Sequence, residues 1–227
     1  MRSDPISRFE LDHVLIWVTP GAPEAERLLA FGLTEGPPNV HVGQGTANRR
    51  FFFQNAMLEL IWVHDETEAR ASAGARLGTH DRWRHRWTGA SPFGLCLRRT
   101  EESATPPFET WRYQPAYLPA GVAIDVAATS LVTREPLIFV APARRPDAAR
   151  RVVGQRLIHA AGLREVSAVR VGVPEMEPLP ATLRAVEATG VATFRREVEP
   201  RLELGFDGER KGGAADFRPD LPLVFRW

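Results

Sequence analysis

Residues Phe9 to Val18 read FELDHVLIWV, and residues Met57 to His64 read MLELIWVH. The first run is rich in β-formers and stops at the turn signal Thr19-Pro20-Gly21, which makes it a strand. Pro23 then opens a short helix, with Glu24 and Glu26 in its first turn. Ala25, Leu28 and Leu29 lie at helical spacing as far as about Phe31, and Gly32 ends the element. Thr34 to Val42 begins irregularly at Pro37-Pro38 and becomes extended towards its end. Gly43 to Asn48 (GQGTAN) reads as a turn, its glycines allowing positive φ. Arg49 to Gln54 and Met57 to His64 form a hairpin through Asn55-Ala56. The order is strand, helix, then three strands.

The remainder is less regular. Glu66 to Leu77 reads as a polar, alanine-rich helix, and Phe93 to Arg98 (FGLCLR) as a strong strand. Trp111 to Tyr117, Val122 to Ala127 and Pro136 to Val140 are further strands, separated by proline or glycine. Residues 144–155 read as a charged helix or loop. Val166 to Val173 alternates as a half-buried strand does, Leu179 to Thr189 is a helix ended by Gly190, and strands follow at Val191 to Glu197, Arg201 to Phe206 and Leu221 to Trp227. A strand-helix-strand block thus stands at each end of the chain, which suggests duplication without residue identity to support it. Mixed elements with many hairpins indicate an α+β fold, not a doubly wound parallel sheet.

The 227 residues carry 29 basic and 28 acidic side chains, a formal charge of +1. That balance argues against nucleic acid as a partner. One cysteine, Cys96, excludes an internal disulfide and a cysteine-rich zinc site. No apolar run is long enough to span a membrane, and the first residues lack a signal-peptide core, so a cytoplasmic location is expected. No Ser-His-Asp elbow, zinc-protease motif or dinucleotide fingerprint is present, and GQGTAN lacks the lysine and helix of a phosphate loop.

Leu11-Asp12-His13-Val14, Gly45-Thr46-Ala47-Asn48-Arg49 and Leu58-Glu59-Leu60-Ile61 together resemble the glyoxalase-like branch of the vicinal oxygen chelate superfamily. The resemblance covers about residues 9 to 65, and Pro92 to Arg98 is similar to the first strand of a second module. It implies paired βαβββ modules forming a cupped, mostly antiparallel sheet around a small molecule. Residues 1–78 would be the first module, and 79–227 a second, degenerate and extended one packed on it as one unit. It also implies that His13 and Glu59 bind a divalent metal (zinc, nickel, manganese or iron), with lyase, isomerase or dioxygenase chemistry on a substrate with adjacent oxygens. A homodimer is a further expectation from such relatives.

Strand alternation agrees with part of this. His13, Leu15 and Trp17 share one face, as do Met57, Glu59 and Ile61, while Leu58, Leu60 and Trp62 face the other way to pack on the helix. A carboxylate among apolar neighbours is costly without a cation, a metal or a hydrogen-bond donor. The strand Phe93 to Arg98 brings no histidine and the strand after Glu135 no interior carboxylate, so His159 or Glu135 would have to supply a third ligand. A metal-free site is therefore the preferred expectation. His13 and Glu59 then form either a satisfied structural pair or an acid/base pair.

Other residues are weighed against plainer roles. Trp17 lines the cup, and Thr46 and Asn48 reach a ligand from its rim. Phe51 and Phe53 share a face, from which at least one lines the cup, the rest being core. Arg82, Arg84 and Arg86, interleaved with Trp83 and Trp87, either clamp a carboxylate or phosphate or belong to a solvated edge strand; the edge strand is preferred. Cys96 reads as inert core, and Tyr113, Tyr117 and Trp111 as a cover for the pocket mouth or a dimer contact. Two functions stay open beside enzymatic turnover. One is non-catalytic sequestration of a small molecule, and the other is partner binding, hinted at only by the charged stretch 144–156.

Overall fold

The computed structural model describes residues 7–71, 73–142, 156–174 and 177–227; the charged stretch therefore lies outside the described residues except for its last residue. The first module runs β1 (Phe9–Trp17), α1 (Ala25–Phe31), β2 (Asn39–His41), β3 (Thr46–Phe52) and β4 (Met57–Val63). Helix α1 ends where expected: Gly32 takes φ 103°, and the amides of Gly32 and Leu33 return to the carbonyls of Leu29 and Leu28, closing the last turn. Strand β3 starts earlier than the sequence suggests, because only Gly43 and Gly45 of the GQGTAN stretch need positive φ and Thr46 is already extended.

The chain continues through α2 (Glu66–Ala71) and α3 (Thr79–Arg84) to β5 (Phe93–Arg99), β6 (Thr110–Tyr113), β7 (Ile124–Ala127) and β8 (Leu137–Val140). These strands complete an eight-stranded sheet in the order β2-β3-β4-β1-β5-β8-β7-β6. β1 runs parallel to β4 and β5 parallel to β8, while β1 and β5 meet antiparallel at the centre. Each half has the same strand plan. Between β5 and β6 no helix forms, since Pro106 and Pro107 interrupt the segment, and Ala104 and Phe108 fill in against the core there. The fold class is the α+β, cupped and mostly antiparallel sheet that the sequence implied.

Within residues 79–227 the later strands form a sheet of their own. β9 (Val166–Val173), α4 (Ala181–Ala188), β10 (Thr193–Arg196), β11 (Arg201–Phe206), β12 (Ala214–Asp216) and β13 (Leu223–Arg226) form a second sheet of five strands, ordered β10-β9-β11-β13-β12. β9 is parallel to β10, β11 is parallel to β13, and β9 and β11 meet antiparallel. That is the plan of β4-β1-β5-β8-β7 repeated with fewer strands. Leu202, Leu204, Leu223 and Phe225 of this sheet share one apolar cluster with Val14, Ile16, Leu58 and Leu60 of the first and with Leu28 of α1. The second sheet thus covers the back of the first and leaves the hollow face to the site.

The basic stretch is not an edge strand. Residues 79–84 are helical, and Arg82 is fully buried. Its guanidinium donates to the carbonyls of Ser130 at 2.7 Å and Glu135 at 2.6 Å, with longer bonds to Val132 and Thr133. Burial lowers its pKa to about 10, against the opposing pull of Glu135, so it stays charged at neutral pH. Loop carbonyls that would otherwise lack donors explain why a cation is kept inside. Arg82→Met should lower the free energy of urea unfolding by about 3 kcal/mol, since shape is retained and the donors are lost; a change under about 0.5 kcal/mol would contradict this role.

Candidate functional site

A cavity of about 270 Å³ opens on the hollow face of the eight-stranded sheet. Its walls are mostly apolar, with Leu15, Trp17, Ile61, Val126, Leu137 and Phe139 among them. His13 and Glu59 both line it, His13 from β1 and Glu59 from β4, where Glu59 stands opposite Leu15 in the parallel register. The two tips face each other, with His13 Nε2 3.6 Å from Glu59 Oε2.

Asp12 and His13 are consecutive, yet both line the cavity. Regular alternation would send Asp12 to the back of the sheet. The β1–β5 pairing instead slips between Leu11, opposite Leu97, and His13, opposite Cys96, leaving Asp12 as a bulge. A bulge re-aims a side chain in this way. Asp12 Oδ1 accepts from His13 Nδ1 at 2.7 Å and Oδ2 accepts from Arg98 Nη1 at 3.0 Å. Buried Arg98 also donates to Glu10 Oε1 and to the carbonyl of Asn55.

This network fixes charges. Burial is the largest influence on His13 and opposes its proton, but Cys96 and Asp12 together outweigh it and hold the imidazolium well above the usual histidine range. Burial pushes the Cys96 thiol up, beyond what neighbouring His13 can offset, and the Asp12 carboxylate is the hydrogen-bond partner of His13 Nδ1. Burial also works against the Asp12 carboxylate, and contacts with His13 and Arg98 overcome it and keep that carboxyl below its ordinary value.

Glu59, 4% exposed, accepts from the amide of Asn48 through Oε1. On the same side, His41 Nε2 lies 3.9 Å from Oε1. His41 Nδ1 meets the Thr46 hydroxyl at 2.9 Å, and that oxygen also accepts from Gln44 Nε2 at 2.8 Å. Where the Thr46 hydroxyl donates to His41 Nδ1, the ring proton of His41 sits on Nε2, towards Glu59. Burial keeps His41 neutral despite Glu59. Gln44 Oε1 accepts from Tyr113 and Tyr117 at 3.1 and 3.2 Å, tying the β6 end of the sheet to the β2 end. Burial raises both phenols, Tyr113 to about 12.

The other expected site residues divide. Trp17 and Asn48 line the cavity, and Thr46 lies fully buried behind it. Phe51 and Phe53 do not line it: both sit in the core cluster with the second sheet. Asn48 and Phe51 are an odd number of residues apart on one strand, so one facing inward sends the other back. Arg86 lies outside the cavity, its guanidinium 5.2 and 5.5 Å from the rings of Trp83 and Trp87. His159 is also elsewhere. It accepts from the Thr34 amide, bonds the Phe52 carbonyl and meets the Phe53 ring at a tilt, joining the segment before β9 to the first module. Glu135 lends its backbone carbonyl to Arg82. Asp12, His41, Gln44, Arg50 and Cys96 line the cavity without having been singled out as site residues.

For a metal, the grouping present among the described residues is Asp12, His13 and Cys96, whose donor atoms lie within 4.8 Å of one another. Asp12 is already engaged by His13 and by the cation of Arg98. A divalent ion needs these donors deprotonated and free.

Residues 11–106 match the family model described as glyoxalase-like domain. Among solved structures, a hypothetical protein from Staphylococcus aureus is similar over 96% of this chain and 98% of its own, with 9% identity and a TM-score of 0.52. A xylose isomerase-like TIM barrel/4-hydroxyphenylpyruvate dioxygenase fusion protein aligns over 91% of this chain and 38% of its own, at 11% identity and a TM-score of 0.53. Methylmalonyl-CoA epimerase from Mycobacterium tuberculosis aligns over 66% of this chain and 97% of its own, at 15% identity and a TM-score of 0.41. No curated protein sequence matches the chain. Among the described residues no helix is long and apolar enough to cross a membrane.

The directions of the two shifts set a pH profile for stability. The raised His13 contributes stability that is full below its ordinary value and is lost as pH rises through its folded midpoint; the lowered Asp12 contributes above its ordinary value and is lost in acid. Unfolding free energy should therefore be highest between about pH 4 and 6.5 and decline on both sides. Asp12→Asn should lower that maximum by about 2 kcal/mol and flatten the alkaline decline. Urea titrations across pH check this, and an alkaline flank unchanged in Asp12→Asn would contradict it.

Proposed function

We propose, from the premise that residues 11–106 form a glyoxalase-like domain, that the cavity binds a small organic molecule with neighbouring oxygens and moves a proton on its carbon. One observation carries this reading. Glu59 has one oxygen held by Asn48, while Oε2 faces His13 at 3.6 Å, too far for a hydrogen bond. A buried carboxylate oxygen without a close donor, beside a fixed imidazolium and apolar walls, is suited to accept a proton from carbon.

In this reading the substrate carbonyl oxygen lies against His13 Nε2. Glu59 Oε2 takes a proton from the adjacent carbon, the C–H electron pair forms the enolate double bond, and the carbonyl π pair moves onto oxygen. His13, kept charged by Asp12, stabilises that oxygen by a charge-assisted hydrogen bond or by donating its proton. Return of the proton at the same or the neighbouring carbon gives epimerisation or isomerisation, and loss of a leaving group from the enolate gives a lyase. Asn48 holds Glu59 in place through Oε1. No step of this reading passes through a metal.

The second reading is sequestration without turnover, favoured by the apolar walls. The two are separated by exchange in deuterium oxide, followed by proton NMR, over a panel of small hydroxy ketones, hydroxy aldehydes and oxo acids. The wild-type protein should place deuterium on carbon in at least one of them. Glu59→Gln should slow this by about a hundredfold to ten-thousandfold with affinity retained, and added zinc, nickel, manganese or iron(II) should not change it. Saturable binding without exchange in the wild-type protein would establish sequestration instead.

A further inference from the structure

The cavity holds one cation that the proton-transfer chemistry does not use. Arg50 follows Asn48 by two residues on β3, lines the cavity and stands opposite Glu59 in the β3–β4 register. Its guanidinium is held in place from one side. Nε donates to the carbonyl of Pro37 at 2.7 Å, Nη2 reaches that of Pro38 at 3.4 Å, and the ring of Phe52 lies 5.2 Å below. Those two carbonyls occupy the side edge of the guanidinium. The end edge, formed by Nη1 and the second proton of Nη2, has no protein acceptor among the described residues, and Arg50 makes no ion pair there. Partial burial disfavours its charge, more than the field of Glu59 favours it. A positioned, half-desolvated fork with two free parallel donors is the geometry that takes a carboxylate by two hydrogen bonds.

We propose that Arg50 is the anchor for a substrate carboxylate, so that the cavity accepts small organic monoacids whose carbon chain lies on the apolar wall. This deepens the reading of the cavity as a substrate site and rests on it. The backbone carbonyls of Pro37 and Pro38 fix the guanidinium without neutralising it, which a carboxylate partner from the protein would have done. The size of the hollow restricts the acid to a small one. The carboxylate also gives the reacting carbon an orientation. With one end fixed on β3 and the carbonyl oxygen on His13 of β1, the carbon between them lies over β4, where Glu59 stands.

The test uses isovalerate, phenylacetate and pyruvate, each beside its primary amide, titrated into the full-length protein by saturation-transfer NMR and calorimetry. The wild-type protein should bind at least one acid about tenfold or more tightly than its amide. Arg50→Gln should abolish that preference by weakening the acid and leaving the amide unchanged, while Arg50→Lys should keep part of it, since charge remains and the fork is lost. Glu59→Gln should retain the preference. Equal binding of acid and amide to the wild-type protein, an undiminished preference in Arg50→Gln, or no saturable binding of any acid below about 10 mM would each overturn the proposal. A retained acid preference without deuterium exchange would fault only the proton-transfer reading, and exchange without the preference would fault only this one.

Discussion

The Asp12 carboxylate joins three parts of the site. One oxygen receives the proton of His13 Nδ1 and the other receives Arg98 from β5, so the two central strands are linked by charge as well as by their ladder. The price is a bulge in β1, which leaves Asp12 without a partner across the sheet. In exchange, two consecutive residues face the same hollow, and the ring of His13 has a fixed orientation and charge. Without the bulge, His13 Nδ1 would lose the Asp12 carboxylate that opposes the effect of burial on its proton. The electrostatics of the cavity follow from that local irregularity.

Glu59 is positioned by a separate network. Tyr113 and Tyr117 donate to Gln44, Gln44 to Thr46, and Thr46 orders His41, whose remaining nitrogen faces Glu59. The chain of bonds starts at the last strand of one half and ends in the other. It therefore couples the shape of the cup, set by the approach of its two ends, to the orientation of the carboxylate. Buried polar groups satisfied in sequence specify one arrangement more sharply than apolar packing does.

Much of the fold could be read from the chain because the first module obeys local rules. Alternation in His13–Trp17 and Met57–Val63 assigns both faces correctly, and Gly32 ends its helix as a C-cap glycine should. Residues whose position depends on a departure from those rules were not legible. Asp12 sits on a bulge that alternation cannot show. Cys96 becomes a neighbour of His13 only through the β1–β5 register. Arg82 looks like surface charge until its loop carbonyls are in place. Phe51 is the instructive case: its distance from Asn48 along the strand already excluded both from one face. The second sheet was visible only as a strand-helix-strand echo, although it repeats the central strand plan of the first.

The charge of the cavity depends on where protons reside between Asp12, His13 and Cys96. Neutron diffraction from deuterium-exchanged crystals at neutral pH reads those positions directly. Deuterium on both ring nitrogens of His13 is the predicted result. A single deuterated nitrogen on His13 would contradict the fixed cation, and with it the stabilisation of a developing oxyanion in the cavity.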